Sequence, residues 1–159
     1  MLIQILSIVV PILVYLVAPW VVTQLGGDAR RYRRLLILAC LVFFVSWYLP
    51  SPLIDGEDTS FTTHFVGGGI FTGLFWLYLK WSLHWRGVWW LEAFSLFALV
   101  SALGCVNELF ELLMVRIGIS SIPLDDTNWD ILANTLGALM VYLVYLGYAK
   151  RTSRPRMKP

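Results

Sequence analysis

Two acidic segments lie within apolar stretches of this 159-residue chain. One runs from Asn107 to Glu111 (NELFE), and the other runs from Asp125 to Asn134 (DDTNWDILAN). A charged side chain at the middle of a membrane-spanning helix costs about 2.5–3.5 kcal/mol on insertion scales, so acids in such places need a stabilising partner. Carboxylates and a histidine together can bind zinc, manganese or iron, and they also serve as general acids and bases.

The spacing of the acids indicates which of them share a helix face. Glu108 and Glu111 are three residues apart, so they lie on one side of their helix. Asp126, Asp130 and Asn134 follow one another at steps of four and form a second stripe. Two adjacent glutamates repel each other unless one of them holds a proton or a cation neutralises both.

A histidine is predicted to complete the site. His64 lies about one turn inside the start of a third apolar stretch, at the depth predicted for the acids. The predicted metal ligands are His64, Glu108, Glu111, Asp126 and Asp130. The predicted catalytic groups of an enzyme are Glu108, Glu111 and His64. Around them, the predicted orienting residues are Asn107, Asn134 and Arg116.

Each of these residues also has a purely structural interpretation. Thr127 and Asp130 match a helix capping box, and Asp126 would suit the N-terminus of a helix electrostatically. The two glutamates could instead join neighbouring helices by hydrogen bonds, as polar residues do in membranes. Arg116 could be an ordinary interfacial charge, pair with a carboxylate or hold an anionic head group.

Composition indicates the class of protein that holds this site. Hydrophobic residues make up 58% of the chain, charged residues make up 14%, and the mean hydropathy is +0.73. These values are typical of an integral membrane protein. Because one span takes about 20 residues, we predict an all-α transmembrane domain with five helices over residues 1–159. The first apolar stretch lacks a basic start and a cleavage site, so we expect it to be a retained span.

The five predicted spans divide into a scaffold and a site-bearing group. The scaffold spans are about 2–25 and 35–49, which carry no polar stripe. The site-bearing spans are about 61–81, 88–115 and 128–149. Small residues should let the last three spans pack closely, chiefly Gly67, Gly68, Gly69, Gly73, Gly104 and Gly137.

Basic residues alternate with the predicted loops. The loop at 26–34, the loop with Lys80, His84 and Arg86, and the C-terminal tail are basic, whereas the other two loops share one arginine. The positive-inside rule then predicts an N-terminus outside and a C-terminus inside, which puts the acids in the outer leaflet. The tryptophans beside the third loop are expected to form an interfacial belt, namely Trp81, Trp85, Trp89 and Trp90.

The last three spans resemble the YjdF-like membrane proteins, small bacterial or archaeal proteins that are distantly similar to the VanZ-like family. The resemblance rests on the histidine near a span start, on NELFE at 107–111, and on DTNWD at 126–130 followed by Asn134 and Gly137. The VanZ-like proteins are associated with resistance to the glycopeptide teicoplanin. The resemblance therefore implies a role in the cell envelope, without implying a reaction.

Three functions are open at this point. The leading one is a multi-pass protein of the cell membrane whose outer site binds a divalent cation or the head group of a lipid or lipid-linked envelope precursor, with hydrolysis of that precursor as one reaction. The second is a transporter or proton-coupled carrier, which needs a polar path across the whole membrane. The third is an assembly subunit whose acids only pack helices. Membrane lipids are the expected partners, and nucleic acid is not.

Overall fold

The computed structural model describes the backbone of residues 2–54, 57–58, 60–118 and 124–152, and the side chains of residues 5–53, 60–118 and 127–152. The helical elements are α1 Leu2–Gln24, α2 Arg33–Ser46, α3 Phe61–Thr63, a π-helical segment His64–Ile70, α4 Phe71–Ser82, α5 Trp89–Arg116 and α6 Leu124–Thr152. Two short strands, β1 Leu53–Ile54 and β2 Glu57–Asp58, pair antiparallel before α3. Apart from this two-residue pairing the described chain is helical, which confirms the predicted all-α class.

The third helical rod contains a π-helical interruption. Residues 61–82 run through α3, the π-helical segment and α4 without a break, and we call them the composite helix. A π-helix is rare and occurs mostly as a single-turn bulge, frequently at a functional site. The segment holds Gly67, Gly68 and Gly69, whose low helix propensity weakens regular α-helical bonding there. Its first residue is His64.

Among the described residues, three helices are long and apolar enough to cross a membrane, namely Ile5–Gln24, Trp89–Arg116 and Thr127–Thr152. The second helix is displaced relative to the predicted span of about 35–49, because α2 begins at Arg33 and ends at Ser46. Large apolar side chains cover the outer faces of the long helices, with Leu16, Phe94 and Val144 among the exposed ones. Extended apolar surfaces are rare on soluble monomers and are typical of surfaces that face lipid or another protein.

The composite helix, α5 and α6 form a bundle around one apolar core. The buried residues of this core are Trp76, Leu77, Leu96, Val100, Ala138, Val141 and Tyr142. A second cluster packs α1 and α2 against the composite helix, through Val22, Leu36 and Tyr78. The helices predicted to bear the site therefore pack together, with the two predicted scaffold helices beside them.

Glycines bring the composite helix and α6 into close contact. A Cβ atom added at Gly69 would lie 2.7 Å from the Cα of Gly137, and one added at Gly137 would lie 2.1 Å from the carbonyl oxygen of Phe65. Both distances are shorter than any ordinary contact, so only glycine fits at these two positions. The prediction that small residues allow close packing of these helices is confirmed.

Basic residues collect at one end of the bundle. The loop after α1 contacts the end of α4, where the N–H of Asp28 donates to the carbonyl oxygen of Ser82 at 2.8 Å. The end of α6 lies at the same place, because the rings of Trp81 and Tyr145 are 6.4 Å apart. The arginines of the first loop, Lys80 and the last turn of α6 thus share one end. We call it the basic end, and the opposite end, with Glu111 and Asp130, the acidic end.

Candidate metal centre

Three helices bring one imidazole and two carboxylates together at the acidic end. His64 of the composite helix, Glu111 of α5 and Asp130 of α6 each offer one ligand atom, and these atoms lie within 4.8 Å of one another. The Nε2 atom of His64 is 3.2 Å from Oδ1 of Asp130. Asp130 is only 1% exposed, whereas His64 and Glu111 are half-buried. The sequence predicted this convergence, and we call the three residues the acidic triad.

Packing one turn below the triad fixes the position of α6. Asn134 is buried, and a Cβ atom added at Gly68 would lie 1.6 Å from its Oδ1 atom. On the other side, a Cβ atom added at Gly104 of α5 would lie 3.7 Å from its Nδ2 atom. The amide of Asn134 therefore occupies the space between two glycines, and this packing sets how closely the three helices approach beneath the triad.

The carboxylate of Glu111 is oriented by a residue of its own helix. Asn107 lies one turn earlier on α5, and its Nδ2 atom donates a hydrogen bond to Oε1 of Glu111 at 2.7 Å. A metal ligand is commonly held by such a bond, since the donor fixes the direction of the remaining lone pairs. Asn107 was one of the predicted orienting residues.

The remaining predicted site residues lie outside the triad. Glu108 does not join the group of three, and its Oε1 atom is buried with no hydrogen-bond partner among the described residues. Arg116 is exposed in the last turn of α5 and forms no ion pair within the described part of the chain. Asp126 belongs to α6, but its side chain lies outside the described residues.

The capping-box interpretation of Asp130 is wrong. The helix α6 begins at Leu124, so Thr127 lies inside the helix and is not its N-cap residue. The carboxylate of Asp130 contacts His64 of a different helix instead.

The triad fits a transition-metal ion with little movement. Metal–ligand bonds of about 2.0–2.2 Å put neighbouring ligand atoms of a tetrahedral site roughly 3.4 Å apart. The contact of His64 with Asp130, at 3.2 Å, already has that separation. The group as a whole lies within 4.8 Å, so the widest separation would shorten by about 1.4 Å or less. Three protein ligands would leave at least one coordination position for water or substrate.

A second polar cluster lies at the basic end, and the sequence did not predict it. The ammonium group of Lys80 pairs with Oε1 of Glu92 and donates to the carbonyl oxygen of Trp85 at 3.1 Å. The hydroxyl of Tyr145 donates to the second oxygen of Glu92 at 3.1 Å. Lys80 and Glu92 are each only 5% exposed. The assignment of Lys80 to a loop is therefore wrong, because it lies in the last turn of α4 and inside the bundle.

Aromatic rings enclose this ion pair. The Nζ atom of Lys80 lies 5.8 Å from the ring centroid of Trp76, 5.4 Å from that of Trp85 and 5.5 Å from that of Tyr145. These distances are in the range of cation–π attraction. Of the tryptophans predicted to form an interfacial belt, Trp85 packs against Trp76, whereas Trp89 and Trp90 are exposed. The sequence feature that could have indicated this cluster is a lysine and a glutamate on either side of one turn rich in tryptophan.

No protein-family model, curated protein sequence or solved structure matches this chain. The resemblance to the YjdF-like and VanZ-like proteins accordingly stays a prediction from the motifs.

Proposed function

We propose that this chain is a multi-pass protein of the cell membrane whose acidic triad binds one divalent ion of zinc, manganese or iron. The observation that carries the proposal is the approach of His64, Glu111 and Asp130 to within 4.8 Å of one another from three separate helices. One imidazole and two carboxylates form a ligand set that suits these metals. Two neighbouring carboxylates also repel each other when both are ionised, and a cation between them would relieve this repulsion.

We propose further that α1, α2, the composite helix, α5 and α6 all cross the membrane, with the N-terminus outside and the C-terminus inside. The three long apolar helices and the apolar outer surface support a location in the membrane. The collection of arginines and lysines at one end supports the orientation, because cytoplasmic loops are enriched in these residues. The acidic triad then lies in the outer leaflet.

The substrate we propose is the head group of a lipid or a lipid-linked envelope precursor. A metal held by His64, Glu111 and Asp130 would supply Lewis-acid activation of a phosphoryl or carbonyl group and of water, which is the chemistry of hydrolysis. Glu108 follows Asn107 on α5 and has a buried carboxylate oxygen without a partner among the described residues, so we assign it the role of proton acceptor. The envelope role that the motifs imply agrees with this substrate class.

The middle of the bundle argues against the alternative of a transporter. Between the acidic triad and the Lys80–Glu92 pair, the core is packed with apolar side chains such as Leu77, Val100 and Ala138. A carrier would need polar groups along this path. The arrangement favours a site that acts at one membrane surface.

Elemental analysis by inductively coupled plasma mass spectrometry tests the metal site. We expect about one zinc, manganese or iron ion per chain in detergent-purified wild-type protein, and loss of that ion in Glu111→Gln and His64→Ala, which each remove a ligand. Glu108→Gln is the matched control, since it makes the same change three residues away on the same helix and should keep the metal. Size-exclusion profiles establish that each variant is folded.

The same variants can contradict the proposal. A folded wild type that takes up none of the three metals on add-back would rule out the metal site. Equal loss of metal in Glu108→Gln and Glu111→Gln would mean that the triad is the wrong ligand set. With metal retained, Glu108→Gln should still lose hydrolysis of a lipid-linked pyrophosphate, because the proton acceptor is gone.

A further inference from the structure

We infer that the basic end holds a binding site for one anionic phospholipid, in a groove between α1, the loop that follows it and the first residue of α2. The groove has a volume of about 300 Å³. Its apolar wall and its basic rim are formed by Tyr15, Leu16, Pro19, Trp20, Arg30 and Arg33. It shares no residue with the acidic triad, so the inference does not depend on the proposed metal site.

The two arginines of the groove are available to an anion. Arg30 and Arg33 form no ion pair within the described residues. Asp28 is the acid nearest to them in the sequence, and its Oδ1 atom accepts hydrogen bonds from the backbone N–H groups of Arg30 and Arg31 at 3.1 and 3.2 Å, which closes the turn. Guanidinium groups bind phosphate oxygens with two parallel hydrogen bonds, so two of them at one groove form a natural phosphate site.

Contact with an aromatic ring holds one of these guanidinium groups over the groove. The Cζ atom of Arg33 lies 4.7 Å from the ring centroid of Tyr15, and both residues line the groove. A cation–π contact of this kind reduces the freedom of the long side chain before any ligand arrives.

The apolar wall indicates a phospholipid rather than a free phosphate ion. Leu16 and Trp20 are 61% and 63% exposed, and they lie directly beside the arginines. A free phosphate would use only the rim, whereas a phospholipid also places its glycerol and upper acyl carbons against Leu16 and Trp20. Tryptophan is typical of this depth in a membrane, where an apolar body meets the polar head groups. The charge of the rim selects lipids with net negative charge over zwitterionic ones.

Native mass spectrometry of the full chain, in detergent micelles that contain phosphatidylglycerol, tests this site. The informative variant is Arg30→Gln with Arg33→Gln, and the matched control is Arg31→Gln with Arg34→Gln. Both remove two positive charges from exposed positions of one segment, but only the first pair lines the groove. At about 0.5 M ammonium acetate the Debye length is about 4 Å, so diffuse attraction is largely screened.

We expect the wild type to retain one phosphatidylglycerol under these conditions. Retention should fall about 25-fold in the groove variant, or about fivefold for each guanidinium lost, and less than about twofold in the control. Arg30→Lys with Arg33→Lys should give an intermediate loss, because the charge remains while the two-bond geometry is lost. Leu16→Ala with Trp20→Ala changes only exposed apolar side chains and should also lower retention, which tests the site if the arginine variant does not fold.

Three results would overturn the inference. Equal losses in the groove variant and the control would mean that a diffuse charge, and not the groove, attracts the lipid. Equal retention of phosphatidylcholine by the wild type would mean that the rim does not select an anion. Displacement of the lipid by millimolar inorganic phosphate, with no effect of Leu16→Ala and Trp20→Ala, would identify a free-anion site instead.

Discussion

The two ends of one three-helix bundle accommodate buried charge in different ways. At the basic end, Lys80 and Glu92 neutralise each other, and further hydrogen bonds come from Tyr145 and the carbonyl of Trp85. At the acidic end, Glu111 and Asp130 approach a single imidazole. The composite helix, α5 and α6 each contribute one titratable residue to each of the two clusters.

The difference separates a structural joint from the binding site that we propose at the acidic triad. In a buried ion pair with all its hydrogen bonds made, the two charges cancel, so the pair does not attract another ion. Removing one partner strongly destabilises the fold, because the other charge stays buried without a counterion. A cluster in which two carboxylates lie beside each other gains from an added cation, because the cation relieves their mutual repulsion. The composition of each cluster therefore predicts how it responds to substitution.

The largest effect is expected when the balanced pair is broken. Lys80→Met should lower the free energy of unfolding by about 3–5 kcal/mol, because Glu92 stays buried without its counterion. Thermal unfolding in dodecyl maltoside measures the change. Arg86→Met removes an exposed cation from the turn that follows α4 and should stay within about 0.5 kcal/mol of wild type.

A double substitution makes this comparison stricter. Lys80→Met with Glu92→Leu removes both charges and should recover most of the lost stability, since apolar replacement of a buried pair is often neutral. A double variant as unstable as the single one would mean that shape, and not charge, makes the basic end rigid.

A smaller effect is expected from overfilling the contact below the acidic triad. Gly137→Ala would bring a methyl group against the carbonyl oxygen of Phe65 and should cost about 1–3 kcal/mol. Gly147→Ala is the matched control on the same helix, because nothing lies within 4 Å of its added Cβ atom. That control should be neutral or more stable by up to about 1 kcal/mol, since alanine favours a helix. Similar melting temperatures for the two variants would contradict the close packing of α6.

The smallest effect on stability is expected at the triad itself, in metal-free protein. Asp130→Asn removes one of two neighbouring negative charges and keeps a hydrogen-bonding side chain of the same shape, so we expect a change below about 1 kcal/mol. Zinc at 100 times its dissociation constant should raise the free energy of unfolding of the wild type by about 2.7 kcal/mol, and with it the melting temperature, but should not stabilise the variant. A metal-free loss as large as that of Lys80→Met would make His64 and Asp130 a second structural joint.

The three members of the acidic triad were among the residues predicted from the sequence, because the helical spacing of polar residues indicates which of them share a helix face. Alternating helix directions predicted a common level for His64, Glu111 and Asp130, and steps of three and four predicted their helix faces. The ends of α1, the composite helix and α5 lie within a residue or so of the predicted boundaries. Periodicity gave no basis for choosing between Glu108 and Glu111, since both belong to the same stripe.

The Lys80–Glu92 pair was not predicted, for a different reason. A lysine next to a turn is usually a solvated loop charge, and the burial of Lys80 depends on Glu92 and Tyr145 from two other helices. Such partners are found only once the helices have been packed. The π-helical segment was also missed, because the run Gly67, Gly68 and Gly69 reads equally well as a small-residue packing face.

The π-helical segment determines the angle around the helix axis between side chains at the two ends of the composite helix. In an uninterrupted α-helix, His64 and Lys80 would lie about 160° apart around the axis, on nearly opposite sides. An i→i+5 turn takes in roughly one extra residue, which removes about 100° of that angle and leaves about 60°. The wider turn between residues 64 and 70 thus lets a single rod direct its histidine and its lysine toward the same two neighbours, as α5 and α6 require.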